Sequence, residues 1–239
     1  MLAELGIDGP QDRPGFSVEA TDLSLRTKEG PVFSNVSFSC EPGQLVCLAG
    51  AAGTGRTSLS LILSGRMKFS SGTLVVGGKS IPGDRRWLRR NSAIAPTGDF
   101  AGLEEALKVR EEAKRTLWLA GHTARVDAAT IIETAGLTGR ERTLVRELSA
   151  IERRRLDISC AFADTVGLVV IDDVCTGIPI RFQTEIWQLV FDCARNAATT
   201  VVATTLEPEP ATGFADHIIS LDPVDQPVSP DATDEQAAV

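Results

Sequence analysis

The run Gly50-Ala51-Ala52-Gly53-Thr54-Gly55-Arg56-Thr57-Ser58 fits a phosphate-binding loop, with Arg56 standing where that pattern carries a Lys. Glycines at such positions let the backbone adopt unusual φ values and approach a ligand closely, so that successive N–H groups can close around an anion. Before the loop, Gln44-Leu45-Val46-Cys47-Leu48-Ala49 reads as a buried strand, and after it residues 57–63 read as a helix. A helix opening directly after the loop adds the favourable potential of its N-terminus. An anion held there would meet Gly50, Gly53, Thr54, Gly55, Arg56, Thr57 and Ser58. The competing reading of the same residues is a plain Gly-rich turn between strand and helix.

A second stretch, Leu168-Val169-Val170-Ile171-Asp172-Asp173, is an apolar run ending in carboxylates. Set beside the loop in a parallel sheet, Asp172 would hold Mg²⁺ through water while the Thr57 hydroxyl ligates it directly. Either motif alone is a weak signal, because any buried strand can end in Asp. Together, at this separation, they point to a nucleotide.

The elements around these residues follow from pattern. Residues 16–20, 36–40 and 72–76 alternate apolar and polar and are bounded by turn residues, Pro42-Gly43 and Gly77-Gly78 among them, so an antiparallel β layer is expected beside the loop. From 103 to 147 the period becomes helical and no strong strand is present, which reads as an inserted helical lobe at about 100–160. Beyond it come a helix at 150–163, the apolar run at 167–171, a helix at 183–195 and another β-branched apolar run at 199–205. Continuous apolar strands alternating with helices imply a parallel sheet covered on both faces.

Composition narrows the class. The chain has 239 residues, 43% hydrophobic content and net charge -8, enough for one large α/β domain. Residues 1–15 read as a flexible leader, 16–222 as the domain, and 223–239 as an acidic disordered tail. The charge and the lack of a basic run argue against a nucleic-acid partner. No apolar segment is long enough to span a bilayer and no signal-peptide order opens the chain, so a cytosolic protein is expected. The five scattered cysteines suit reduced core thiols, and His122 and His217 lack ligand spacing. Arg153-Arg154-Arg155 reads as a solvated helix face rather than a phosphate patch.

In the order of its elements, residues 16–222 resemble the nucleotide-binding subunit of ABC transporters. The resemblance implies a P-loop NTPase fold of ABC type, a mixed sheet covered by helices with an antiparallel β layer and an inserted helical lobe. It implies ATP and Mg²⁺ as cofactors, a transmembrane permease as partner, a dimer with itself or another ATP-binding subunit, and a place on the inner face of the cell membrane. The family's LSGGQ signature falls on Leu148-Ser149-Ala150-Ile151-Glu152, its Gln loop on Ala95-Pro96-Thr97, its catalytic Glu on Asp173, its D-loop on residues 176–179 and its switch His on Thr205.

Most of these slots are altered. Arg56 keeps a charge but is a longer planar fork than Lys. Asp173 is one methylene shorter than Glu, Thr205 lacks an imidazole, and Thr97 reaches less far than Gln. Ala150 and Ile151 obstruct the close backbone approach of the signature glycines, leaving Ser149 as its candidate contact. No aromatic stands at Arg26 or Thr27 to stack on a purine, though Arg26 offers a cation–π contact. Phe100, in the groove where a permease would seat, is either tucked into the core or an interface anchor.

Three readings remain at this stage: an ATP-binding subunit with slow or absent hydrolysis, a fully working transport ATPase, and a non-enzymatic scaffold.

Overall fold

A computed structural model of the chain describes residues 15–95, 102–121, 124, 126–164 and 166–221. Two sheets and a helical lobe make up the architecture. Strands β1 (Val18–Thr27), β2 (Gly30–Cys40), β4 (Ser71–Val76) and β5 (Lys79–Ile81) form an antiparallel sheet of order β2-β1-β4-β5. Gly77 and Gly78 turn β4 into β5 at φ 53° and 73°, the left-handed pair that a tight hairpin of right-twisted strands requires.

The second sheet is parallel, of order β6-β7-β8-β3-β9, built from β3 (Leu45–Gly50), β6 (Ser92–Ala95), β7 (Leu168–Ile171), β8 (Thr200–Thr205) and β9 (His217–Leu221). Its central strands are largely apolar because both faces are covered, with Thr200, Thr204 and Thr205 of β8 as buried exceptions. Val46, Leu48, Val170 and Val202 face the antiparallel layer and α1 (Arg56–Leu63), whose Leu59, Ile62 and Leu63 are fully buried. Leu45, Cys47, Val169, Ile171, Val201 and Ala203 face the other way, against Trp187 and Val190 of α6 (Ile180–Ala197). The short helix α2 (Arg85–Arg90) lies between the two sheets in sequence.

The expected lobe is helical, with α3 (Val109–Ala120) and α4 (Ala128–Thr134) around a separate core. Helix α5 (Ala150–Ala161) belongs to both parts: Leu156 packs in the lobe core, whereas Ile158 and Ala161 pack on the sheet. All five cysteines are free, four of them buried, and burial pushes the thiols of Cys40, Cys47, Cys160, Cys175 and Cys193 up to about 12. His217 is exposed at the start of β9, and His122 lies outside the described residues. Among the described residues no helix is long and apolar enough to cross a membrane, and no group of His, Cys, Asp or Glu could hold a metal by itself.

Candidate nucleotide site

The loop sits where β3 ends and α1 begins. Gly50 closes β3, and a Cβ there would lie 2.6 Å from Thr54 Oγ1 and 3.0 Å from Leu221 Cβ, so only glycine lets the loop fold back on the strand end. Thr54 is buried and pins the turn by donating its hydroxyl to the Ala51 carbonyl at 2.9 Å. Gly53 and Gly55 take φ 87° and 80°, and Gly55 is the N-cap of α1. No side chain caps this helix and its first turn holds no acid, so its leading N–H groups and dipole are left for an external anion. Strand β2 abuts the loop, since a Cβ on Gly55 would meet Val32 Cγ1 at 2.9 Å and Phe33 Cδ1 at 3.0 Å. Thr57 is exposed on the helix start and Ser58 is half-buried.

Asp172 follows β7 and is 1% exposed. Its Oδ1 accepts from Ser60 Oγ and from Thr204 Oγ1, both at 3.0 Å. Ser60 lies one turn beyond Thr57 on α1, so Asp172 is held against the helix that opens the loop. The oxygen-only set of a Thr57 hydroxyl and an Asp172 carboxylate suits a hard cation such as Mg²⁺.

The next residue, Asp173, has φ 42°, a left-handed backbone that only a short polar side chain adopts readily. Its N–H donates to Thr204 Oγ1 at 2.8 Å, which fixes the turn. Its Oδ2 lies 3.1 Å from Arg56 Nη1, with the side chains 12% and 20% exposed. The contact is ionic and not a directed hydrogen bond: Arg56 Nη1 is buried with no aligned acceptor.

A model of one family, described as ABC transporter, matches residues 33–176. The chain belongs to the ABC transporter family. It is 30% identical over 215 residues to an uncharacterized ABC transporter ATP-binding protein of Mycobacterium tuberculosis, covering 85% of this chain and 86% of that protein. It is 27% identical to a cytochrome c biogenesis ATP-binding export protein of Xanthomonas axonopodis, over 77% of this chain and 85% of the other. Among solved structures, an ATP-binding cassette captured as a dimer after hydrolysis with ADP and Pi bound superposes with TM-score 0.72 at 19% identity, covering 86% and 94% of the two chains. A putative ABC transporter ATP-binding protein of Pyrococcus furiosus does so with TM-score 0.71 at 17% identity, covering 86% and 97%. The ABC P-loop fold is therefore that of this chain, and the chain is an ABC-type ATP-binding subunit.

Two further residues expected at ABC slots, Thr205 and Ser149, are engaged within the chain. Thr205, expected from the sequence at the switch position, is fully buried and donates to the Glu207 carbonyl at 3.1 Å. Strand alternation turns its neighbour Thr204, and not Thr205, toward Asp172. At the signature slot, Ser149 is the N-cap of α5: its Oγ accepts from Glu152 N at 3.3 Å and donates to Glu152 Oε2 at 2.9 Å. Glu152 is also ion-paired with Arg140. Ala150 is exposed, and Ile151 packs against the sheet core. Thr97 and Phe100, at the Gln-loop slot, lie outside the described residues.

The arginine run corrects one sequence expectation. Arg153 and Arg155 do sit at the surface, paired with Glu105 and Glu185, but Arg154 is 7% exposed. Its guanidinium donates to the carbonyls of Asp172 at 2.7 Å, Asp173 at 3.3 Å and Val174 at 3.1 Å, and to Asp157 Oδ2 at 2.6 Å. Burial pushes the Asp157 carboxyl up to about 6 against the opposing pull of Arg154. Arg154, Asp157, Ser60 and Thr204 were all missed in sequence. The signal for Ser60 was a hydroxyl in the apolar run Leu59-Ser60-Leu61-Ile62-Leu63.

Proposed function

We propose that this chain is the ATP-binding subunit of a membrane transporter or transporter-like complex that binds Mg·ATP weakly and hydrolyses it slowly or not at all. It works at the cytoplasmic face of the cell membrane, docked on a transmembrane permease and paired with a second copy or another ATP-binding subunit. Gly50, Gly53, Thr54, Gly55, Arg56, Thr57 and Ser58 would surround the phosphates. Thr57 and Asp172 would hold the magnesium, which when bound neutralises charge on the β- and γ-phosphates.

The observation that carries this reading is the Arg56–Asp173 contact at 3.1 Å. The cation expected on the phosphates and the carboxylate expected to polarise the attacking water are turned on each other. ATP has to compete with Asp173 for Arg56, which weakens binding, and a carboxylate turned toward a guanidinium is not placed to accept a proton from an attacking water. Thr205 and Ser149 give the same message, since each spends its hydroxyl within its own chain. Thr97, shorter than Gln, would couple the metal poorly to the permease.

Calorimetry with Mg·ATP, alongside steady-state phosphate release, tests the reading. Binding in the micromolar-to-millimolar range, about 4–8 kcal/mol, is expected. Turnover should lie well below the ordinary enzyme range of about 1–10³ s⁻¹. Turnover inside that range makes the protein a working transport ATPase, and absent binding makes it a scaffold.

A further inference from the structure

We propose that the cavity beside α2 is a second anion site, separate from the phosphate loop, that takes a multiply charged phosphate group. The sequence of α2, Arg85-Arg86-Trp87-Leu88-Arg89-Arg90, is a basic run in a chain of net charge -8, and the expectation that no such run exists overlooked it. Leu88 is fully buried, and Trp87 packs on Phe16 with ring centroids 5.1 Å apart, so the apolar pair anchors the helix. The arginines on either side are left for the outside.

A cavity of about 490 Å³ is lined by Gly65, Pro82, Gly83, Arg85, Arg86 and Arg89, none of which belongs to the phosphate loop. Gly65, at φ 71°, brings the end of α1 against α2: a Cβ there would lie 2.9 Å from the Arg85 carbonyl and 3.0 Å from Arg89 N. Arg66 comes next in the chain and donates one N–H to the Ser64 carbonyl at 2.9 Å. Burial, followed by repulsion from Arg89, holds the Arg66 pKa below its usual value. Among the described residues the ion pairs all lie elsewhere, and none involves Arg66, Arg85, Arg86, Arg89 or Arg90. Asp84, the neighbouring carboxylate in the chain, does not cap the helix with its side chain.

Several like charges gathered without a counter-charge repel one another, and a ligand that supplies the missing charge relieves this. Guanidinium forks match phosphate oxygens in bidentate geometry, and converging cations call for more than one negative charge. Among the described residues that line it, Pro82 is the only apolar side chain, which favours a phosphate over a ring or an acyl chain. The ligand is a condensed or terminal phosphate group, either on a free polyphosphate or on a lipid headgroup at the membrane surface.

Tripolyphosphate titrated calorimetrically into the full-length chain tests the site, in three forms: wild type, Arg86→Ser/Arg89→Ser, and Arg56→Ser. Both α2 arginines are exposed, so the double variant should melt at the wild-type temperature. Expected are two binding events in the wild type, of which the double variant weakens one by about tenfold or more, the scale of removing charged hydrogen bonds, while Arg56→Ser weakens only the other, at the phosphate loop. In a second arm, vesicles of phosphatidic acid, whose headgroup is a terminal phosphate, mixed with phosphatidylcholine are compared with phosphatidylcholine alone. Vesicle capture that depends on the two arginines, without tripolyphosphate binding, assigns the site to the headgroup. Equal binding by wild type and double variant in both arms, or none in either, overturns the proposal.

Discussion

The two ends of the candidate nucleotide site are built differently. On the loop side, Gly50, Gly53 and Gly55 hold an open cradle, Thr54 stabilises it from within, and the start of α1 has no internal partner. On the strand-tip side, Asp173 is engaged by Arg56 and Thr205 by Glu207, and at the start of α5 Ser149 is engaged by Glu152. An anion can therefore be received by groups that chemistry would not engage. Receiving a phosphate needs backbone amides, which a Gly-rich turn provides whatever its side chains, whereas attack on it needs side chains free to face the ligand.

The strand-tip side also carries a buried charge, Arg154, that ties several groups together, and breaking it should give the largest effect. Arg154→Ala removes three carbonyl partners from the turn at 172–174 and leaves Asp157 alone in an interior site. Loss of one partner of a buried pair costs about 3–5 kcal/mol, and for a chain of this size each kcal/mol lowers Tm by roughly 2–4 °C. Thermal unfolding of the purified variant measures this. An unchanged Tm would mean that the turn is held by Thr204 and the sheet alone.

Asp157 adds a pH signature to the same side. Burial pushes its folded carboxyl up to about 6, above the usual 3.8 of an exposed Asp, with Arg154 pulling it down and Glu112 pushing it up. A raised carboxyl binds its proton more tightly when folded, so its contribution is full below the unfolded value and is lost as pH rises through about 6. Relative to Asp157→Asn, the wild type should lose on the order of 3 kcal/mol across that window, at about 1.4 kcal/mol per pKa unit. Melting both proteins between these pH values shows whether their difference grows as expected or stays flat.

Arg56 links the two sides, and freeing it sharpens the contrast. Asp173→Asn removes the competing carboxylate, so Mg·ATP should bind tighter by up to about tenfold, or about 1.4 kcal/mol. Arg56→Ala should weaken binding by a similar factor, and Arg56→Lys should leave it equal or tighter. Weaker binding in Asp173→Asn would show that the carboxylate serves the ligand and not Arg56 alone.

How much of this was legible in sequence follows from how local each feature is. The loop, α1 and the apolar strands announce themselves within short windows, because turn chemistry and burial on two faces each leave a local pattern. The partners on Asp172 and Asp173 do not. Ser60, Thr204 and Arg154 arrive from three elements, and which of two adjacent residues faces inward depends on strand phase, as Thr204 and Thr205 show. Arg154 differs from its neighbours Arg153 and Arg155 only in the direction it leaves α5, which a run of three identical letters conceals.

Repair of the strand-tip side should have the smallest effect. Asp173→Glu lengthens the carboxylate, but Arg56 can follow it, since a flexible guanidinium stem tolerates one methylene. Thr205→His places an imidazole at a fully buried position whose neighbours fill the space, so the ring has to displace packing before it reaches a phosphate. Neither change gives the signature slot, Ala150 and Ile151, the glycine backbone that a facing subunit's phosphate would need. Groups that act as a unit do not return activity singly. The Asp173→Glu/Thr205→His variant should therefore raise phosphate release by less than about tenfold, under 1.4 kcal/mol of barrier. A larger gain at saturating Mg·ATP would place the deficit in those two side chains alone and leave the signature slot competent.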